Sequence, residues 1–301
     1  MSTQSPERRG LLATLALVGI CAVWGAAFTL VKEALNDASA LVFLALRFGV
    51  ATVALWMALR TRGSIGTGPF PFRSGALVGT ALFAGYLFQT IGLRFTSPGR
   101  SAFLTGLFIV FVPVMQALQA RRWPAFADIA GIVVAFSGMA LMAWPFTLVG
   151  SGAGDLLTVV CAVSYAVHIL LLGRYSKECD ARALTLAQIG FAFLLCVASF
   201  WWVETPFLIS TPRLWVAVGI TGVLATALAF LTQTWAQRFV PPARTAFIFA
   251  LEPVFAWITA YFVAGERFGL AASAGALLIL AGILLYETKP FGRNRPTAPA
   301  V

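Results

Sequence analysis

Residues 89–103 read Gln-Thr-Ile-Gly-Leu-Arg-Phe-Thr-Ser-Pro-Gly-Arg-Ser-Ala-Phe, and residues 233–247 read Gln-Thr-Trp-Ala-Gln-Arg-Phe-Val-Pro-Pro-Ala-Arg-Thr-Ala-Phe. Laid together without a gap, 89–138 on 233–282 gives 16 identities in 50 positions. Gln89 meets Gln233, Thr90 meets Thr234, Arg94 meets Arg238, Pro98 meets Pro242 and Arg100 meets Arg244. Farther on, Leu107 meets Leu251, Val110 meets Val254 and Gly131 meets Gly275. The Gln-Thr and Arg-Phe pairs are not apolar matches, so a shared apolar composition does not produce them. Upstream, Cys21-Ala22-Val23 matches Cys161-Ala162-Val163, and Arg47-Phe48-Gly49 lies opposite Gln188-Ile189-Gly190. The chain carries an internal repeat.

The surroundings of the repeat fix its medium. Of 301 residues, 60% are hydrophobic and 11% are charged, against about a quarter charged in soluble domains. A soluble fold could not cover its surface with so few charges, and disorder does not suit a chain rich in Phe, Leu, Val and Ala. A spanning helix needs about 20 mostly apolar residues. Ten such stretches occur, at 11–31, 39–60, 74–93, 100–120, 126–145, 154–173, 184–203, 212–235, 242–263 and 268–287. The first follows Arg8 and Arg9 but is longer than a signal-peptide core, so it is expected to span and not to be cleaved. The four cysteines, three of them inside apolar stretches, imply no disulfide framework.

The fold class expected is therefore an all-α integral membrane protein. Ten transmembrane helices form two five-helix repeats, residues 11–145 and 152–287. Five is odd, so the second repeat enters the membrane inverted, an architecture associated with alternating access. Charge fixes the orientation. With the N-terminus cytoplasmic, fifteen Lys and Arg fall inside: Arg8, Arg9, Arg60, Arg62, Arg73, Arg121, Arg122, Arg174, Lys177, Arg182, Arg238, Arg244, Lys289, Arg293 and Arg295. Five fall outside: Lys32, Arg94, Arg100, Arg213 and Arg267. This bias places both termini in the cytoplasm. The net charge of +10 then belongs to cytoplasmic loops, and no nucleic-acid partner is expected.

Several residues at middle depth admit both a binding and a packing reading. Glu252 is the carboxylate well inside a stretch, where a charge costs several kcal/mol unless it faces a cavity or a partner. It reads as a proton or ammonium site, or as a cap beside Pro253. His168, the single histidine, reads as a cavity wall, a proton relay with Glu252, or a packed ring. Gln89 and Gln233 must face the bundle interior, bonding across helices or to a zwitterionic substrate. Trp24, Phe28, Tyr86, Phe108, Tyr165 and Phe249 supply aromatic walls or ordinary packing. Pro113 and Pro253 are expected to kink their helices, as hinges or as fixed bends. Arg47 could meet a substrate carboxylate. The second helix of each half is expected at the periphery, however, where a long side chain snorkels, so Arg47 reads as structural.

The sequence resembles the EamA-type transporters of the drug/metabolite transporter superfamily. The likeness rests on Trp24-Gly25 with Phe28 and Lys32, on Arg47-Phe48, and on Gly92-Leu93-Arg94-Phe95-Thr96-Ser97-Pro98 followed by Ala102-Phe103-Leu104. It continues with Leu251-Glu252-Pro253-Val254-Phe255, Gly265-Glu266, Gly275 and Gly282. The resemblance implies a ten-helix inner-membrane carrier with a central cavity lined by spans 1, 3, 4, 6, 8 and 9. It implies export of amino acids or related metabolites, with sugar conjugates or drugs as the alternative cargo.

The partners expected are a small-molecule substrate, the lipid bilayer and, through Glu252, protons. No cofactor, metal or catalytic group is expected. One histidine and one midspan carboxylate do not make a zinc set, and neither a Walker A sequence nor a Gly-x-Ser-x-Gly sequence occurs. A channel is disfavoured because no filter-like carbonyl loop is visible.

Overall fold

The structure, a computed structural model, describes residues 5–61, 69–96, 98–121, 126–143, 152–264 and 269–287. Arg62, Arg122, Arg267, Lys289, Arg293 and Arg295 of the charge count lie outside the described residues. So do Ser97, Gly265-Glu266 and position 145, the expected end of the first repeat.

Among the described residues the chain is helical throughout. The helices are α1 (Pro6–Ala34), α2 (Ala40–Thr61), α3 (Phe72–Phe95), α4 (Pro98–Thr105), α5 (Phe108–Ala120), α6 (Phe126–Met142), α7 (Gly152–Glu178) and α8 (Ala181–Val203). They continue as α9 (Pro212–Gly222), a π-helical turn (Val223–Leu228), α10 (Ala229–Ala236), α11 (Pro242–Phe249), α12 (Glu252–Ala264) and α13 (Leu270–Glu287). Seven helical runs are long and apolar enough to cross a membrane, counting Arg100–Ala120 and Pro212–Ala236 as one each; Asp128–Met142 and Leu270–Tyr286 are shorter apolar helices.

Local chemistry sets the ends. Ser5 caps α1 by accepting from the Arg8 amide, with Pro6 at the first helical position and Glu7 in the first turn. Asp180 caps α8 by accepting from the Arg182 and Ala183 amides.

The fourth and ninth apolar stretches are each broken into two helices. The breaks lie at Gly106–Leu107 and at Ala250–Leu251, 144 residues apart, the offset of the repeat. At both, the ladder tightens to i−3 bonds: Leu107 N–H to the Leu104 carbonyl (3.2 Å) and Leu251 N–H to the Ile248 carbonyl (3.0 Å). The prolines stand elsewhere. Pro113 lies inside α5, six residues past its break. Pro253 is the second residue of α12, where a missing N–H removes no helical bond.

Two close approaches tie the bundle together. Helices α6 and α13 cross antiparallel on glycines. A Cβ on Gly138 would stand 2.5 Å from the Gly275 carbonyl oxygen, and one on Gly275 would stand 2.5 Å from that of Gly138. The next contact along is again mutual. A Cβ on Gly131 would meet the Gly282 oxygen at 3.1 Å, and the reverse would meet at 2.8 Å. Elsewhere the α1–α2 loop is stitched to the α8–α9 loop. Ser39 N–H donates to the Phe207 carbonyl (3.0 Å), Ala38 and Leu208 form an antiparallel bridge, and Glu204 accepts from the Leu41 amide (2.8 Å). In this stitch Asp37 takes a bidentate contact from Arg213 (2.9 and 3.1 Å) and the Thr211 hydroxyl (2.7 Å).

Candidate functional site

Four helices turn one face inward at helical spacing. On α1 these are Trp24, Ala27, Phe28 and Val31; on α3, Tyr86, Gln89, Thr90 and Leu93. Both sets follow i, i+3, i+4, i+7, which keeps them on one stripe. On α7, Tyr165, His168 and Ile169 take the same spacing, and on α10 Phe230 and Gln233 do. The broken helices add Thr105, Phe108, Phe249 and Glu252 beside their breaks. Together with Arg47 from α2, these residues line one cavity with about 70 Å³ of space open to water-sized molecules.

All ten residues singled out for the cavity lie around it: Trp24, Phe28, Tyr86, Gln89, Phe108, Tyr165, His168, Gln233, Phe249 and Glu252. The aromatic rings pack at angles, Trp24 with Phe249 and Tyr86 with Tyr165 edge-on and Trp24 with Phe230 tilted. Trp24 lies 5.0 Å from Phe249 and 5.5 Å from Phe230, and Tyr86 lies 5.6 Å from Tyr165. Edge-to-face contacts are the favoured aromatic geometry. Tyr165 fits because Gly85 faces it: a Cβ there would stand 2.5 Å from the ring.

The polar groups are held by one another. Gln89 donates to the Thr105 hydroxyl (3.2 Å) and accepts from the Tyr165 hydroxyl (3.1 Å). Gln233 donates to Gln237 (3.0 Å), while its own carbonyl oxygen is buried with no hydrogen-bond partner. His168 is bound in a directional chain. The Thr234 hydroxyl donates to the Phe230 carbonyl (2.7 Å), so its oxygen accepts from the Gln188 amide (3.1 Å). The Gln188 oxygen then accepts from His168 Nε2 (2.9 Å). This polarity assigns the ring proton to Nε2 and the lone pair to Nδ1. Glu252 opens α12, at the positive end of that helix's dipole.

Arg47 corrects the sequence expectation. Its side chain does not snorkel outward; the residue is 3% exposed and lines the cavity. The reason is the π turn. The Ala229 N–H donates to the Leu224 carbonyl five residues back, and the Thr226 hydroxyl donates to the Thr221 carbonyl (2.8 Å). The widened turn presents the Ala225 carbonyl, which takes the Trp24 indole (2.8 Å) and Arg47 Nη2 (3.3 Å). Arg47 Nε donates to Thr226 (2.7 Å), Nη2 to the Tyr86 hydroxyl (3.0 Å), and the guanidinium lies 4.6 Å over the Tyr86 ring. A second helix expected at the periphery thus reaches the centre. Thr105 and Phe230 are further lining residues that sequence reading passed over, and their helical spacing from Phe108 and Gln233 was the available signal. Among the described residues no group of three metal-ligating side chains occurs.

Comparison with known proteins agrees with this picture. The EamA-like transporter family model matches twice, over residues 11–144 and 152–288. An uncharacterized transporter of Archaeoglobus fulgidus is 29% identical over 279 residues, covering 93% of this chain and 87% of its own. A Streptantibioticus cattleyicolor protein named as a probable terminal-alkyne amino-acid exporter is 25% identical, covering 94% and 96%. A solved crystal structure shares the fold with a TM-score of 0.74 at 18% identity, over 91% of this chain and 96% of that one. The names of these relatives are those of transporters, not of enzymes. The chain is a multi-pass membrane protein and belongs to the EamA-like transporter family.

Proposed function

We propose that this protein is a secondary transporter that exports small metabolites such as amino acids by alternating access through the central cavity. The observation that carries the reading is the cavity itself. Aromatic walls surround a short list of polar groups drawn from both halves of the chain: Arg47, Gln89, His168, Gln233 and Glu252. In this reading residues 11–145 and 152–287 are two five-span repeats of opposite orientation, with α4–α5 and α11–α12 as broken spans. Three facts support it: the family model matches each half, the breaks stand 144 residues apart, and α6 meets α13 through mutual glycine contacts. The charge bias supports an inner-membrane orientation with both termini cytoplasmic. Glu252 is the candidate proton carrier. The amino-acid preference draws on the name of the Streptantibioticus relative.

Purified protein in liposomes loaded with unlabelled amino acids tests the reading. Labelled amino acid outside should enter saturably and faster when the same amino acid is inside. Uptake that neither saturates nor responds to the internal amino acid would contradict a carrier and favour a channel.

A further inference from the structure

Among the described residues Arg47 is buried without a counter-charge. Its acceptors are the Thr226 hydroxyl, the Tyr86 hydroxyl and the Ala225 carbonyl, all neutral. These contacts use Nε and Nη2, and Nη1 donates no hydrogen bond among the described residues. The other nearby charges are committed elsewhere: Lys32 donates to the Leu93 and Thr96 carbonyls, Arg100 pairs with Asp155, and Asp37 pairs with Arg213. Glu252 lines the same cavity. Among the described residues it makes no ion pair with Arg47.

A structural strut does not need this chemistry. Two neutral hydrogen bonds to the π turn could be supplied by an uncharged amide. A guanidinium stays charged at any accessible pH, and a fixed charge in a low-dielectric site is costly until an anion meets it. Its plane is set by three acceptors and by the Tyr86 ring, so the free Nη1 is pre-oriented and little rotamer freedom remains to be lost on binding. We propose that Arg47 is the receptor for a carboxylate of the transported metabolite. Nη1 supplies the open donor, and Glu252, unpaired with it, faces the cationic end of the same molecule. This rests on the transport reading above and adds to it a residue that fixes which functional group the cargo must carry.

The test uses full-length protein in liposomes and three probes, L-leucine, L-phenylalanine and L-threonine, each with its carboxamide. For the amino acid exchanged fastest, the acid should half-saturate about tenfold to a hundredfold below the amide, the range expected of a charge-assisted hydrogen bond. Arg47→Gln should erase that difference by weakening the acid while leaving the amide unchanged. Arg47→Lys, which keeps the charge and loses the fork, should restore part of it. A wild-type protein that takes acid and amide equally overturns the assignment, whether or not any variant folds, and leaves the transporter reading standing. An Arg47→Gln variant that keeps the preference also overturns it. A wild-type protein that exchanges none of the probes overturns this assignment and the amino-acid reading together.

Discussion

The α6–α13 contact and the cavity treat the internal repeat in opposite ways. At the contact the glycines of the repeat are kept. Gly131 and Gly275 are mates under the 144-residue offset, as are Gly138 and Gly282, and Gly138 meets Gly275 while Gly131 meets Gly282. That is the pattern of a self-complementary two-fold interface. In the cavity the amides Gln89 and Gln233 are matching mates, but the ionisable groups have none. Glu252 corresponds to Phe108, His168 to Phe28, and Arg47 lies opposite Gln188. Gln188 does not reach the cavity wall; it is fully buried between His168 and Thr234. Symmetry is thus kept where backbones must touch and only in part in the cavity. The groups able to carry charge stand where symmetry has been lost, and a cargo with different ends would meet a different group at each end.

The largest effect should come from breaking the symmetric contact. Gly275→Ala puts a methyl 2.5 Å from a backbone oxygen and 2.8 Å from the Met142 nitrogen. Neither can yield without moving a helix. The expected cost is about 1–3 kcal/mol, and more for Gly275→Leu, because overpacked cores shift backbone. Gly19 and Gly219, also helical, have nothing within 4 Å of an added Cβ. There the same change should stabilise by about 0.5–1 kcal/mol, since alanine loses less backbone entropy in a helix. Thermal midpoints of the purified variants check the contrast. A Gly275→Ala protein as stable as Gly219→Ala would mean that the two helices are not in contact as described.

The asymmetric cavity can be broken next, at Glu252. Glu252→Gln keeps the shape and one acceptor but cannot ionise. If the carboxyl carries the coupling proton, the variant should still exchange substrate, with weaker half-saturation because the cationic end loses its carboxylate, and lose accumulation driven by an imposed pH difference. Glu252→Phe goes further and restores the residue found at the repeat mate. Wild-type transport indifferent to an imposed pH difference removes the proton role and leaves Glu252 to the helix dipole of α12.

These sites differ in how far the sequence revealed them. The apolar stretches were legible because the bilayer sets their length, and each carries helix in the structure. The aromatic and amide residues were legible because their i, i+3, i+4 spacing puts them on one stripe. Arg47 was not, because its place depends on where α2 sits against the π turn. Nothing in Val-Leu-Ala-Thr-Ala-Leu, free of Gly and Pro, announces a turn whose backbone bonds reach five residues back. Kinks were expected at Pro113 and Pro253; the helix breaks, which the sequence did not announce, lie at Gly106–Leu107 and Ala250–Leu251. A proline near the start of a helix does not interrupt it, and proline position alone cannot tell a start from a middle.

The smallest effect should come from the loops, where the comparison sharpens once more. In the α7–α8 loop the carboxylate of Asp180 serves only the start of its own helix. In the α1–α2 loop Asp37 reaches across to Arg213 and Thr211 of the other half. The hydrogen bonds from Arg213, and then that from Thr211, hold the Asp37 carboxyl below its usual range. A folded-state value below the unfolded one contributes stability that is present above about pH 4, the unfolded aspartate value, and is lost as pH falls through the lower folded value. Asp37→Asn should therefore be less stable than wild type at pH 7, with the gap closing in acid. The side chain of Arg213 is 51% exposed while that of Asp37 is 8% exposed. Half of the pair is open to solvent, so the gap should be modest and should shrink with added salt. Thermal midpoints in detergent at pH 7 and in acid, each at low and high salt, would read both trends. A gap that persists unchanged into acid would assign the loss to the Thr211 and backbone contacts of the loop and not to the charge on Asp37.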